Sequence, residues 1–319
     1  MPRMLIRKNP SDFKTLPLFV EATPEGLSYQ SIGMPLNFAQ TLSKRRLVSV
    51  ADTERFALEL ANLGVSVRLT LHWQGRDYWV LVRQRRQDRD DVVLKLISGY
   101  VPAHEVNLPL HTAIQEIAEE CLLETPEGWL SGRFNETWLP APYASALHYR
   151  EALPFRLTPL SGAARPVRCG SQPLLERPRA YVHLPTASLQ LIYDLRLDVP
   201  KDAKSLSLFH VEERLEGDLL VARLDRKRPD LYLIPLVDGQ PCAELYTLSK
   251  DQLQPASTRG VCLAESFAVQ EGWVVRDERI RWKDWLKQQG LSAPPKESRL
   301  KRLTGKARQI FRTVVKSRD

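Results

Sequence analysis

Residues 96–132, LISGYVPAHEVNLPLHTAIQEIAEECLLETPEGWLSG, contain no lysine and no arginine. Because 46 of the 319 residues are basic, a window of this length should hold about five of them. It holds six glutamates instead, at positions 105, 116, 119, 120, 124 and 127. A folded protein that gathers carboxylates must supply positive charge from elsewhere, and a divalent metal ion is the simplest source. The window therefore predicts a metal-binding site.

Within this window, the run AIQEIAEECLL is typical of an amphipathic helix that begins just after Pro109 and ends near Leu123. Its glutamates Glu116, Glu119 and Glu120 have i, i+3 and i+4 spacing and therefore share one face. The apolar residues Ile114, Ile117, Cys121 and Leu122 take the other face. Like charges at this spacing each cost a few tenths of a kcal/mol. Clustered oxygen ligands of this kind suit Mg²⁺ or Mn²⁺, which also bind phosphates.

Three strands are predicted immediately before the window. Residues 65–73 and 78–85 show alternating apolar positions, and the short link at 74–77 predicts that they form a hairpin. A charged turn leads to a third predicted strand at 92–98, which ends at Gly99. The acidic helix thus follows a β-hairpin and one further strand.

Residues 1–64 predict a mixed α/β extension in front of this unit. Asp52 or Thr53 is placed to cap a helix that continues to Leu63, and Gly64 is placed to end it. We therefore divide the chain into the extension, a main domain over 65–290, and a linker with a tail over 291–319.

After the window, the composition of residues 133–185 predicts a long irregular insertion. Loops of this length are usually functional or mobile. It contains eight prolines, seven arginines and several aromatic residues. The arginines could clamp phosphates while the aromatic rings stack on a base. An ordinary surface insertion with solvated arginines explains the same composition.

Regular structure is predicted again beyond the insertion. Strands are expected at 188–199, 205–215 and 230–237, and a final helix at 276–289. In the second of these strands, Glu212 or Glu213 is a candidate for a further base near the metal site. Trp282 and Trp285 are most simply packing residues of the final helix.

The net charge of +8 is concentrated at the C-terminus. Residues 296–319 carry nine basic and two acidic side chains, which leaves a charge of +1 for the rest. Apolar residues recur at helical spacing there, at Leu300, Leu303, Ala307, Ile310 and Val314. Such a basic amphipathic helix can contact nucleic acid or an anionic membrane, and a solubilising tail is the simpler alternative.

Other sequence features restrict the class of protein. The four cysteines are widely spaced without a C-x-x-C pair, which argues against a zinc site and fits a reducing cytoplasm. The N-terminal sequence has no apolar signal region, and no apolar run is long enough to span a bilayer. The chain also lacks a phosphate-binding P-loop. We therefore expect a cytoplasmic protein.

The runs GYVPAHE and QEIAEECLL, within residues 99–123, resemble the Nudix box, G-x5-E-x7-R-E-U-x-E-E-x-G-U, where U is aliphatic. The resemblance implies a Nudix-like α/β/α sandwich with a mixed sheet, here with the insertion after the box helix and the basic tail. It also implies a Mg²⁺-dependent or Mn²⁺-dependent pyrophosphohydrolase that acts on a nucleoside diphosphate linked to another moiety.

Carried over residue by residue, the resemblance implies roles for five positions. Glu116 matches a metal ligand or base, and Glu119 and Glu120 match the paired ligands, with Glu116 and Glu120 as the catalytic carboxylates. Glu105 matches the upstream glutamate of the box. Gly99 matches the leading glycine, whose backbone approaches the metal. The metal set implied is therefore Gly99, Glu105, Glu116, Glu119 and Glu120.

The chain departs from the box at three points. Gln115 replaces the arginine, Leu122 replaces the second glycine, and two extra residues separate Glu105 from Gln115. These departures leave a second hypothesis open, in which the chain is a catalytically inactive binding or regulatory module. Such a module would act through the insertion, or through contact of residues 296–319 with nucleic acid or a membrane.

Overall fold

The computed structural model describes residues 2–8, 13–86, 91–160, 162, 164–216 and 219–291. Within them the chain forms 25 strands and three α-helices. The first strands are β1 (Arg3–Lys8), β2 (Leu18–Thr23), β3 (Gly26–Ser31), β4 (Phe56–Leu60), β5 (Asn62–Trp73), β6 (Arg76–Arg86), β7 (Asp91–Lys95), β8 (Ile97–Tyr100), β9 (Cys121–Thr125), β10 (Gly128–Phe134), β11 (Thr137–Trp138), β12 (Tyr149–Pro159) and β13 (Val167–Cys169). The basic tail at 296–319 lies outside the described residues.

The remaining strands are β14 (Gln172–Pro173), β15 (Arg179–His183), β16 (Ser188–Asp198), β17 (Ser207–Glu216), β18 (Leu219–Leu224), β19 (Leu231–Val237), β20 (Gln240–Pro241), β21 (Tyr246–Ser249), β22 (Gln252–Pro255), β23 (Cys262–Ala264), β24 (Val274–Val275) and β25 (Arg279–Arg281). The helices are α1 (Phe38–Lys44), α2 (Pro109–Glu120) and α3 (Trp282–Gln288). None of the described helices is long and apolar enough to cross a membrane.

Two sheets organise these strands. A mixed network of 20 strands is built around β5, which pairs with β16 in parallel and with β6 and β8 antiparallel. A second sheet has five strands in the order β14-β13-β3-β2-β4. It joins strands that precede residue 64 to two strands from the 133–185 segment.

The core lies on both faces of the large sheet. On one face, Val65, Val67 and other odd-numbered residues of β5 pack with apolar residues of the small sheet and of α2. On the other face, α3 packs Trp282, Trp285 and Leu286 onto Leu81 and neighbouring residues. The prediction that these tryptophans pack is confirmed.

The prediction of a Nudix-like α/β/α sandwich is wrong, because the described residues are mostly β structure. The three helices contain 7, 12 and 7 residues, and the small sheet packs where a helical layer was expected. The helix predicted up to Leu63 is also wrong, since β4 pairs with β2 there. Phe56, Leu58 and Leu60 alternate with a small and a charged residue, and this spacing of two between large apolar residues is typical of a strand.

Several local predictions are confirmed. The hairpin forms between β5 and β6, with Gln74 and Gly75 at positive φ in its turn. Strands form at β16, β17 and β19 close to the expected positions. The prediction that the 133–185 segment is irregular is wrong, because it contains β11 to β15. The final helix is shorter than predicted, because 276–278 are not helical and β25 occupies 279–281.

Candidate functional site

Helix α2 carries the acidic face. Pro109 is its first residue, where the missing N–H costs no helical hydrogen bond. Ala113, Ile114 and Ile117 are buried in the core below the helix, as predicted for its apolar face. This packing fixes the helix against the sheet and holds Glu116, Glu119 and Glu120 on its remaining, partly exposed side.

Glu116 lies directly on the backbone of Gly99. Gly99 pairs with Val65 of β5, on the sheet face that α2 covers. A Cβ atom added to Gly99 would lie 1.7 Å from Oε1 and 2.2 Å from Cδ of Glu116. The space that a side chain at this position would fill is therefore taken by a carboxyl group, which explains why the strand has glycine here.

The pKa of Glu116 is raised well above its usual value of 4.5. Burial is the largest cause, because an ionised carboxylate loses hydration there, and the carboxylates of Glu120, Glu119 and Glu213 add repulsion. The ammonium group of Lys95 acts in the opposite direction. We refer to Glu116, Glu119, Glu120 and Glu213 as the acidic cluster.

Glu213 is the cluster member that comes from another part of the chain. It lies on β17, which pairs with β9 and so passes the C-terminal end of α2. The sequence singled out Glu212 or Glu213 without fixing which, and Glu213 is the one that acts on Glu116. Burial raises the pKa of Tyr143, and repulsion from the Glu213 carboxylate adds to this shift.

The C-terminal end of α2 is held by two side chains that the sequence did not predict. The Tyr143 hydroxyl donates to the carbonyl oxygen of Glu119 at 3.2 Å, and Nδ1 of His210 donates to that of Glu120 at 3.2 Å. Carbonyls in the last helical turn lack partners within the helix, so these two bonds satisfy them. The helix has no basic residue in this turn.

One lysine reaches the acidic cluster. Nζ of Lys95 lies 3.5 Å from Oε1 of Glu120, and the two side chains are only 13% and 17% exposed. The other oxygen of Glu120, Oε2, is buried and has no hydrogen-bond partner among the residues that the structure describes. A buried carboxylate oxygen without a donor is costly, so this atom is suited to bind a cation or a proton.

Glu105, which the resemblance implies as a metal ligand, has partners of its own. Its Oε1 lies 2.8 Å from Nδ1 of His111, and its Oε2 accepts a 2.6 Å hydrogen bond from Oγ1 of Thr112. Both partners belong to the first turn of α2. The buried Glu105 therefore fixes the preceding loop onto the helix.

The departures from the Nudix box have local structural causes. α2 ends at Glu120 and the chain continues directly into β9, so a helix-ending glycine is not needed at position 122. Leu122 is instead buried with Trp129 and Phe209. Cys121 is buried in the core as predicted, and burial raises the pKa of its thiol to about 12. All four cysteines are free thiols.

The arginines of the 133–185 segment serve mainly as structural ties. Arg150 pairs with Glu127 at 2.8 Å, and Arg165 binds Glu54 and stacks on Trp273 with 3.7 Å between its Cζ and the ring centroid. Further pairs are Arg133 with Glu136 and Arg179 with Asp194. These pairs favour the interpretation of an ordinary insertion over that of a phosphate clamp.

A cavity of about 500 Å³ lies between β10 and the 138–151 segment. Its lining includes Trp138, His148, Tyr149 and Glu151, but none of the acidic cluster. Trp138 stacks on Arg133, with 4.9 Å between the guanidinium carbon and the ring centroid. The cavity is thus separate from the carboxylates that the sequence predicts to be functional.

Among the residues that the structure describes, no group of three or more His, Cys, Asp or Glu side chains is arranged to hold a metal ion as it stands. Comparison with known proteins adds no family, since no family profile and no curated protein sequence matches this chain.

Replacing Glu116 by glutamine should stabilise the metal-free protein at neutral and alkaline pH by about 1–3 kcal/mol, the cost of a buried polar group without full compensation. Because the folded-state pKa is raised, the unfolded chain loses its proton first as pH rises. The wild-type free energy of unfolding should therefore fall above pH 4.5 until the folded-state pKa is passed. The variant lacks this fall.

Urea unfolding with EDTA, measured from pH 4 to pH 9, tests this expectation. Glu127→Gln is the control, because Glu127 is exposed and pairs with Arg150 outside the cluster. Identical pH profiles for wild type and Glu116→Gln would show that the carboxyl group is not under electrostatic strain.

Proposed function

We propose that this protein is a Mg²⁺-dependent hydrolase of a phosphoanhydride bond, acting on a nucleoside diphosphate linked to another moiety. The observation that carries the proposal is the position of Glu116, whose carboxyl group lies on Gly99 among three further carboxylates. Such a concentration of carboxyl groups, only partly exposed to solvent, is unfavourable in the absence of a cation. Together with the resemblance to the Nudix box, it supports a role in chemistry.

The donor set suits a hard divalent cation, because carboxylate oxygens are the ligands that Mg²⁺ and Mn²⁺ prefer. Glu116, Glu119 and Glu120 would hold the ion. When bound, it supplies positive charge that offsets the charge developing on the phosphate oxygens during hydrolysis.

The protein side chains have separate roles in this proposal. The Oε2 atom of Glu120 would accept a proton from the attacking water, since it is buried and receives no hydrogen bond within the described part of the chain. Glu116 would be a ligand whose ionised form a bound cation favours, because the positive charge opposes the effect of burial on its pKa. Glu105 keeps the loop before α2 in place through His111 and Thr112.

A screen of nucleotides with the purified full chain tests the proposal. The panel contains nucleotide sugars, dinucleotides and nucleoside triphosphates, each with MgCl₂, MnCl₂ or EDTA, and released phosphates are followed by chromatography. We expect turnover of at least one compound that requires the divalent ion and stops with EDTA. Absence of turnover across the panel would count against the enzyme.

The second candidate function is a binding or regulatory module without catalysis. It is favoured by the lack of a ready three-ligand group among the described residues and by Lys95 at the cluster. Calorimetric titration with MgCl₂ distinguishes the two functions. Binding that is lost in Glu119→Gln supports the enzyme, whereas no binding supports the module. The tail proposed to contact nucleic acid or a membrane lies outside the described residues.

A further inference from the structure

The ammonium group of Lys95 lies among oxygen atoms of Ser98 and Glu120. It is the last residue of β7, and its Nζ donates to the carbonyl oxygen of Ser98 at 3.3 Å and to Oγ of Ser98 at 3.1 Å. With Oε1 of Glu120 at 3.5 Å, three oxygen atoms surround the ammonium group. Two of its donors are thus taken by Ser98, and the carboxylate of Glu120 lies at ion-pair distance.

This one ammonium group faces an excess of negative charge. Glu120 is the ion-pair partner of Lys95. The charge of Lys95 also lowers the pKa of Glu116, whereas the carboxylates of Glu119 and Glu213 raise it. The side chain of Lys95 is 13% exposed, so water screens the interaction little. The lysine therefore supplies part of the positive charge that the sequence window lacks.

We propose that Lys95 is a built-in counter-ion which a divalent cation must displace from Glu120. This inference rests on the proposed function and describes how its metal site is regulated. Two positive charges cannot share Oε1 of Glu120 without repulsion, and the flexible four-carbon stem allows the ammonium group to swing away. Without a cation, Lys95 stabilises the fold. It also weakens metal affinity, because part of the binding energy is spent on moving it.

The alternative is that Lys95 merely positions Glu120 for the metal. The two interpretations predict opposite changes when its charge is removed. A counter-ion that competes with the metal should give tighter metal binding when it is lost, whereas a positioning residue should give weaker binding. The same substitution should destabilise the metal-free fold, because Glu120 would then lose its only ion-pair partner in the described residues.

The test compares wild type, Lys95→Met and the control Arg226→Met by calorimetric titration with MgCl₂ and MnCl₂. Arg226 is a matched control, since it is itself exposed and binds Glu124 of β9, four residues beyond Glu120 and outside the acidic cluster. We expect Lys95→Met to bind either metal about tenfold more tightly than wild type. Arg226→Met should bind like wild type. Urea unfolding in EDTA should show a loss of stability in Lys95→Met that is larger than in the control.

Equal or weaker metal binding by Lys95→Met, in the presence of wild-type binding, would overturn the inference and leave the proposed function standing. No binding by wild type and both variants would overturn the proposed function together with it. If Lys95→Met does not fold, Lys95→Gln takes its place, because its amide can still donate to Ser98 while the charge is absent. The same outcomes then apply.

Discussion

Replacing Glu120 by glutamine is expected to reduce hydrolysis of any substrate found for this protein by about 10²–10³-fold, or about 3–4 kcal/mol of transition-state stabilisation. The amide keeps the size of the side chain but loses the negative charge that holds the cation. It also removes Oε2, the buried oxygen for which the described residues supply no hydrogen bond, as a proton acceptor. The rate at saturating substrate should fall, because the loss affects chemistry more than binding.

Glu127→Gln is the matched control for this effect. Glu127 belongs to the same acidic window, but it is exposed and pairs with Arg150. The hydrolysis rate of Glu127→Gln should therefore stay within about twofold of wild type. Circular dichroism and urea unfolding establish that both variants fold. A Glu120→Gln variant that hydrolyses substrate like wild type would remove Glu120 from the mechanism.

The acidic site could be recognised largely from local sequence. The i, i+3 and i+4 spacing of Glu116, Glu119 and Glu120 determines one helix face once Ile114 and Ile117 are buried, and α2 follows this pattern. Its partners could not be recognised in the same way. Glu213 reaches the cluster only through the pairing of β17 with β9, which is a non-local contact.

Lys95 is a counter-charge that the sequence pattern did not reveal. The window without basic residues begins at residue 96, and Lys95 is the residue just before it. The strand bends back after β7, with Leu96 between β7 and β8, so the lysine lies beside Ser98 and faces Glu120. Counting basic residues along the sequence does not detect the contact between Lys95 and Glu120, because the break between β7 and β8 brings the two side chains together.

The fold class was missed for a different reason. The strands of the small sheet pair with partners far away in sequence, as β13 does with β3, and their stability depends on those partners more than on local propensity. Phe56 to Leu60 could be read as either helix or strand until β2 supplied its pairing partner. Strong local signals, such as the turn at Gln74 and Gly75, were sufficient by themselves.

The acidic cluster has a physical consequence for the protein as a whole. Its carboxylates repel one another inside a packed interface, where Ile114 and Ile117 prevent α2 from moving away. This repulsion lowers the stability of the fold at positions that neutral residues could have occupied. Sites that retain such a cost often do so for function, and this is why we propose the cluster as the candidate functional site.

Replacing Gly99 by alanine should lower the free energy of unfolding by about 1–3 kcal/mol, as overpacking in a close-packed interface does. The new Cβ atom would lie 1.7 Å from Oε1 of Glu116, so the carboxyl group must leave its place on β8. If the acidic cluster binds the metal, calorimetric titration of Gly99→Ala with MgCl₂ should also show weaker binding than wild type. Both effects arise from one steric contact.

A double-mutant cycle isolates that contact. Glu116→Ala removes the carboxyl group, so the Gly99→Ala substitution should cost much less in the Glu116→Ala background than in wild type, with a coupling energy of about 1 kcal/mol or more. Urea unfolding of the four proteins in EDTA measures this without reference to activity. Strictly additive losses would mean that Glu116 does not lie on Gly99, and the central observation behind the proposed metal site would then be lost.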